Sequence, residues 1–219
     1  MNKRGIIVSG GSIDYEFCRH TLNGLQADYI IAVDGGLEFL YHSQIEPTHI
    51  VGDFDSVDAS VIAYYKKQTS IPIREFHPVK DASDTEIAVR YAIELGVEEL
   101  WLLGATGTRL DHVMANIQVL KIALDANVKA YILDVCNRIS LVEREAILVK
   151  GEAYGDYFSI FPFDGVVEGV SIRGAKYPLE NYRLCPYDSR CVSNEMQEER
   201  VEITFSDGIL LLMETRDKK

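Results

Sequence analysis

The chain keeps two different rhythms, one before about residue 135 and one after it, and this change constrains the fold more than any single motif. In the first stretch, apolar runs of strand length alternate with segments of helical period. RGIIVSGG, ADYIIAVDGG, THIVGDFDS, ELWLLGATG and VKAYILDV each carry a short strand-like run. Between them LEFLYHS reads as a helix, and the spacing of Ile87, Tyr91 and Leu95 predicts a helix over 84–95. Val113, Ile117, Leu120 and Leu124 mark another amphipathic helix. Strands alternating with helices imply a mainly parallel sheet with helices on its faces. After Asn137 the helical period disappears. ISLVEREAILV, YFSIFPF, VVEGVSI, VEITF and ILLLMET are short β-rich runs separated by Gly, Pro, Asp and Asn, and Ser206-Asp207-Gly208 reads as a hairpin turn. An antiparallel sandwich or barrel of about 80 residues fits this half. The predicted fold class is therefore an α/β N-terminal domain with a mainly parallel sheet, residues 1–135, followed by an all-β C-terminal sandwich, residues 136–219.

Composition narrows the partners. Of the 219 residues, 47% are hydrophobic and 26% charged, the balance of a globular chain. Acidic residues number 34 against 22 basic, for a net charge of −12. That sign excludes the basic footprint on which nucleic-acid binding rests. It suits a cationic small substrate, or solubility alone. The start, MNKRGIIVSGG, runs straight into a strand without the long apolar stretch of a secretory signal. No apolar run approaches the roughly 20 residues that span a bilayer. Cys18, Cys136, Cys185 and Cys191 form no C-x-x-C pair, so a zinc knuckle is not expected. Cys185 and Cys191 could bridge, but four thiols in a cytoplasmic protein is the favoured reading.

The chemistry concentrates in acidic loops of the first half: VDGG (33–36), GDFDS (52–56), KDASD (80–84) and GTRLDH (107–112). Most follow a strand-like run, and open α/β sheets place ligands at the carboxyl ends of their strands. Asp34, Asp53, Asp55, Asp81, Asp84 and Asp111 on one rim would repel one another unless cations held them. Magnesium takes one or two carboxylates plus phosphate oxygens and water, so the set points to a Mg²⁺–polyphosphate site. In GDFDS, Asp53 and Asp55 can aim at one metal, and Gly52 lets backbone approach a ligand. In KDASDTE, Ser83 and Glu86 make a capping box, which accounts for much of the stretch. Lys80 is not needed for capping and could meet a phosphate as a point charge. In GATGTRLDH the glycines can cradle phosphate and Arg109 can fork onto its oxygens; a plain strand–helix turn with Asp111 as N-cap is the alternative there. Neither a Walker A lysine nor a G-x-G-x-x-G is present, which disfavours an ordinary P-loop NTPase and a dinucleotide enzyme. VDGG could be a helix-entry turn. Of the five histidines, only His112 lies beside this chemistry.

These loops, in this order, closely resemble the family of thiamine pyrophosphokinases, and the likeness runs through the whole chain. GDFDS, K-D-x-x-D-T-E and G-x-x-G-x-R-x-D-H carry it, and Ser193-Asn194-Glu195 resembles that family's thiamine-contacting segment. The resemblance implies transfer of a pyrophosphoryl group from ATP to thiamine, yielding AMP and thiamine diphosphate. It implies a nucleotide-binding α/β catalytic domain, then a β-sandwich for thiamine binding and dimerisation. It also implies a homodimer with the thiamine site at the subunit interface, acting without nucleic acid or membrane. Asp53, Asp55, Asp81 and Asp111 would surround Mg²⁺ and the phosphates. Asp34, Gly35, Gly104, Gly107 and Arg109 would help hold the nucleotide. Lys80 and Asp84 would sit near the transferred group, with Asp84 as proton acceptor, and Ser193 and Asn194 would contact thiamine. Some members carry an aromatic residue shortly after the Ser-Asn segment that stacks on thiamine; here MQEERVEI follows, with no aromatic until Phe205. Two other readings remain. GDFDS is also similar to the nucleophile loop of haloacid-dehalogenase-like phosphatases, and the same fold could serve a non-catalytic thiamine or nucleotide sensor.

Overall fold

A computed structural model describes residues 2–55, 57–67, 70–75 and 82–218. The chain divides into two compact units, 1–135 and 136–219. In the first, strands β1 (Arg4–Val8), β2 (Tyr29–Val33), β3 (His49–Gly52), β4 (Ile73–Glu75), β5 (Glu99–Leu103) and β6 (Lys129–Leu133) alternate with helices α1 (Tyr15–Leu25), α2 (Gly36–His42), α3 (Ala59–Lys67), α4 (Asp84–Glu94) and α5 (Leu110–Asp125). The strands run in the order β4-β3-β2-β1-β5-β6, and the pairings among their described residues are parallel. Their apolar runs are continuous because helices cover both faces: Ile6, Ile7, Ile31, Ile50, Leu100 and Leu102 are fully buried.

Local chemistry explains the helices. Ser83 caps α4, its hydroxyl accepting from the Glu86 N–H at 3.2 Å. Glu86 pairs with Arg90 one turn on rather than completing the reciprocal half of a capping box. Asp111 is not the N-cap of α5: the helix starts at Leu110, with Arg109 in the cap position. Helices α1 and α3 and the short strand β4 were not legible in the periodicity. Helix α1 buries only Cys18 and Leu22 along its length, too narrow a stripe to stand out, and is set by Asp14, which accepts from the Phe17 N–H at 3.0 Å.

The second unit contains β7 (Asn137–Val142), β8 (Glu145–Val149), β9 (Tyr157–Pro162), β10 (Val167–Arg173), β11 (Leu179–Leu184), β12 (Arg200–Thr204) and β13 (Leu210–Thr215), with no helix among its described residues. Strands β7, β13 and β9 pair antiparallel, and β11-β10-β12-β8 form a second antiparallel sheet. Phe158, Ile160, Leu210 and Leu212 from the first set share one core with Leu148, Val170, Ile172, Val201 and Ile203 from the other, which makes a sandwich. The Ser206-Asp207-Gly208 turn is not a hairpin. Strands β12 and β13 on either side of it lie in different sheets, and the turn pairs with β10: the Glu168 N–H donates to the Asp207 carbonyl at 3.1 Å. ISLVEREAILV likewise divides into β7 and β8, one in each sheet. Arg138 and Glu214 tie β7 to β13 through paired hydrogen bonds of 2.7 and 2.6 Å. None of the four cysteines forms a disulfide, and no described helix is long and apolar enough to cross a membrane.

Candidate active site

The strand order reverses at β1. From β1 the chain steps to β2, β3 and β4 on one side, and from β5 it steps to β6 on the other. Such a switch point leaves a crevice at the carboxyl ends of the two central strands, where neighbouring connections leave in opposite directions. A cleft of about 790 Å³ lies there, within the usual size of a small-molecule site. It is walled by the β1–α1, β2–α2 and β5–α5 loops and by the starts of α4 and α5.

Close backbone contacts hold these loops together. The Gly11 N–H donates to the Gly104 carbonyl at 2.8 Å and the Ser12 N–H to the Thr106 carbonyl at 2.7 Å. A Cβ on Gly11 would fall 2.3 Å from the Thr106 oxygen, so only glycine permits this approach. Asn116, buried on α5, donates to the Ala105 carbonyl at 2.7 Å and holds the β5–α5 loop down. The hydroxyls of Ser9 and Thr85 meet at 3.1 Å and join the β1 loop to α4.

The acidic centre lies at the end of β2. Asp34 adopts a left-handed backbone, φ 43°, and so does Phe54 in the neighbouring GDFDS loop, φ 61°. For a buried phenylalanine that conformation costs of order 1–3 kcal/mol, and such strain gathers at functional sites. One oxygen of Asp34, Oδ1, is buried without a hydrogen-bond partner. A Cβ on Gly52 would lie 2.1 Å from that oxygen, so the glycine makes room for it. Burial first, and then the adjacent Asp84 carboxylate, push the Asp34 carboxyl up to about 7; Asp53 adds to the rise. An orphaned oxygen crowded by like charge is a setting that a bound cation would relieve. Among the described residues, however, no three His, Cys, Asp or Glu side chains are grouped to hold a metal by themselves. The carboxylates therefore suit an ion that brings phosphate oxygens and water with it.

Of the residues singled out from sequence, Asp34, Gly35, Asp84, Gly104, Gly107 and Arg109 line the cleft, and His112 joins them. Asp53 acts on Asp34 from the next loop, and its carboxylate accepts from the Asp55 N–H at 3.3 Å. Asp111 turns to Arg109, meeting it at 3.2 and 2.5 Å, and this guanidinium holds the Asp111 carboxyl down to about 2. Lys80 and Asp81 lie outside the described residues. Ser193 and Asn194 belong to the second unit. Ser193 is exposed, with a left-handed backbone of φ 56°. Asn194 is buried, and its amide is engaged twice by the Tyr177 backbone: it accepts from the N–H at 3.0 Å and donates to the carbonyl at 2.9 Å. Sequence reasoning missed Ser9 to Tyr15, Thr85 and Asn116. The pair of glycines directly after the first strand was the available signal.

Comparison with known proteins agrees along the length of the chain. A family model described as thiamin pyrophosphokinase, catalytic domain, matches residues 23–132, and one described as thiamin pyrophosphokinase, vitamin B1 binding domain, matches 144–210. A thiamine pyrophosphokinase of Bacillus subtilis is 29% identical over 187 residues, 85% of this chain and 87% of that protein. A crystal structure of thiamine pyrophosphokinase from Bacillus subtilis superposes with a TM-score of 0.87 at 29% identity, covering 99% of this chain and 100% of that one. The yeast thiamin pyrophosphokinase, at 17% identity, shares the fold with a TM-score of 0.81 over 98% of this chain and 86% of its own.

Proposed function

The chain belongs to the thiamin pyrophosphokinase family, and from that premise we propose that it takes ATP as co-substrate and transfers its terminal diphosphoryl group to thiamine. The observation that carries this reading is the crevice at the β1/β5 switch point, where the partnerless Asp34 oxygen and Asp84 face glycine-rich loops. Thiamine's primary alcohol oxygen forms a bond to the β-phosphorus, the bond from that phosphorus to the α–β bridging oxygen breaks, and AMP leaves. Asp84 accepts the proton of the alcohol. Phosphoryl transfer depends mainly on positioning and charge neutralisation, which this chain supplies through loops rather than a Walker lysine. The Gly104–Thr108 turn and Gly35 offer backbone to the phosphates, and Arg109, kept in place by Asp111, forks onto their oxygens.

Asp53 and Asp55 are the residues that would hold Mg²⁺, with Asp34 beside Asp53; the family resemblance adds Asp81, outside the described residues, and Asp111, which here engages Arg109. Bound there, magnesium would supply charge neutralisation to the phosphates. Ser193 would contact thiamine directly, while the engaged amide of Asn194 shapes the backbone beside it. The active form would be a homodimer in which this segment of one subunit serves the other's nucleotide loops. Four cysteines without a disulfide suit a cytoplasmic setting.

Incubation with Mg-ATP and thiamine should give AMP and thiamine diphosphate, identified by phosphorus NMR. ADP with thiamine monophosphate, or full activity in chelator, would overturn the reading, and an aspartyl-phosphate trapped on Asp53 would point to a phosphatase. Asp53→Asn and Asp55→Asn should each lower kcat/KM at least ~100-fold, about 2.7 kcal/mol, with the fold intact by circular dichroism.

A further inference from the structure

The cleft straddles the carboxyl edge of the sheet, and its ends differ in chemistry. Right-handed crossovers put α4 and α5 on one face of the sheet and α1 and α2 on the other. Toward α4 and α5 the wall carries Asp84, Arg109 and His112; toward α1 and α2 it carries Ile13, Tyr15 and Phe39 together with the Glu38 carboxylate in the first turn of α2. Phe39 is buried, but Tyr15 is 49% exposed. The two rings meet edge to face, centroids 5.0 Å apart at 77°. Phe39 therefore braces the Tyr15 ring while half of the residue stays open at the cleft wall. Among the described residues lining the cleft, Tyr15 is the only exposed phenylalanine, tyrosine or tryptophan.

Nothing in the transfer chemistry uses Ile13, Tyr15 or Phe39. A triphosphate held at Asp34 and Asp84 also needs a place for its base, and a flat aromatic face stabilises a heterocycle by stacking. The α5 end, with a guanidinium and an imidazole, suits charged groups. We propose that Tyr15 is the base platform of the cleft: the purine ring of the nucleotide stacks on the exposed face of Tyr15, with Ile13 beside it. The cleft then distinguishes a nucleoside triphosphate from a bare polyphosphate by an aromatic contact that the phosphate loops cannot make. This assignment rests on the reading that the cleft takes ATP. The ring and not the hydroxyl does the stacking, so Tyr15→Phe should keep the contact. Tyr15→Leu keeps apolar bulk over Phe39 and removes the flat face.

Calorimetric titration with Mg-ATP and with Mg-tripolyphosphate tests it. Tyr15→Leu should bind Mg-ATP about tenfold more weakly and Mg-tripolyphosphate as the parent does, with the KM for thiamine unchanged; Tyr15→Phe should match the parent on both. The proposal is overturned if Tyr15→Leu binds Mg-ATP normally, which would put the base at the α5 end. It is equally overturned if both ligands weaken together, since Tyr15 would then only support the loops, or if the parent binds Mg-ATP no better than Mg-tripolyphosphate. Base-dependent binding through Tyr15 in a parent that makes no thiamine diphosphate upholds the platform and sinks the transferase reading. Turnover in the parent with unaltered ATP saturation in Tyr15→Leu does the reverse.

Discussion

At the scale of single residues, the site holds one carboxyl whose folded environment works against its charge. Asp34 is pushed up to about 7 by burial and by Asp84, whereas an unfolded aspartate titrates near ~3.9. Between those values the folded chain binds a proton that the unfolded chain has released. Its contribution to stability therefore falls as pH rises across that window and stays low above it. Asp34→Asn removes the charge, so the ligand-free variant should melt above the parent at pH ~8, and the gap should close toward pH ~5. Allowing for screening by nearby water, the gain is about 1 kcal/mol, or about 2–4 °C in Tm. A gap of equal size at both pH values would show that the carboxyl is already ionised at the lower one. The aspartates were legible in sequence because paired acids after apolar runs have few structural uses. Ser9, Tyr15 and Asn116 were not, because each is an ordinary residue whose role comes only from what the fold sets beside it.

At the scale of elements, loop closeness rather than helix or strand content makes the site. Gly11 joins two loops in this way: its missing Cβ leaves room for two backbone oxygens, at 2.3 and 2.4 Å, that no rotamer change can move. Gly11→Ala should force the β1–α1 and β5–α5 loops apart, costing on the order of 1–3 kcal/mol of stability and weakening Mg-ATP binding as well. Gly24, in α1 with open space around it, is the control: Gly24→Ala should stabilise by about 0.5–1 kcal/mol without touching nucleotide binding. Chemical denaturation and titration of both variants decide it, and similar behaviour in the two would mean that the loop seam tolerates bulk. Elements with a broad apolar stripe, such as α5, were readable in advance, whereas the narrow stripe of α1 was not. The Ser206-Asp207-Gly208 turn was read correctly as a turn and wrongly as a hairpin. Turn residues report a change of direction and carry no information on which sheet receives the next strand.

At the scale of the whole molecule, the shift of rhythm near residue 135 coincides with the division into two compact units, because a parallel sheet needs helical crossovers and an antiparallel sandwich does not. The proposed shared-site homodimer makes a prediction at this scale. Asp53→Asn subunits and Ser193→Ala subunits, each impaired alone, are mixed after mild dissociation and reassembled. In a shared site, a mixed dimer collects both lesions in one site and leaves the other intact, so activity returns. If each chain builds its own site, mixing restores nothing. The pairing of β1 with β5 has one more consequence, for the history of each molecule. Val8 lies beside Leu103, and the crevice exists only once that pairing has closed. During synthesis, most of the first unit must emerge from the ribosome before the walls of the cleft can meet, and closing so long a loop slows folding. A nascent chain thus carries its aspartates for much of its translation without being able to capture a nucleotide, and the capacity arrives with the fifth strand.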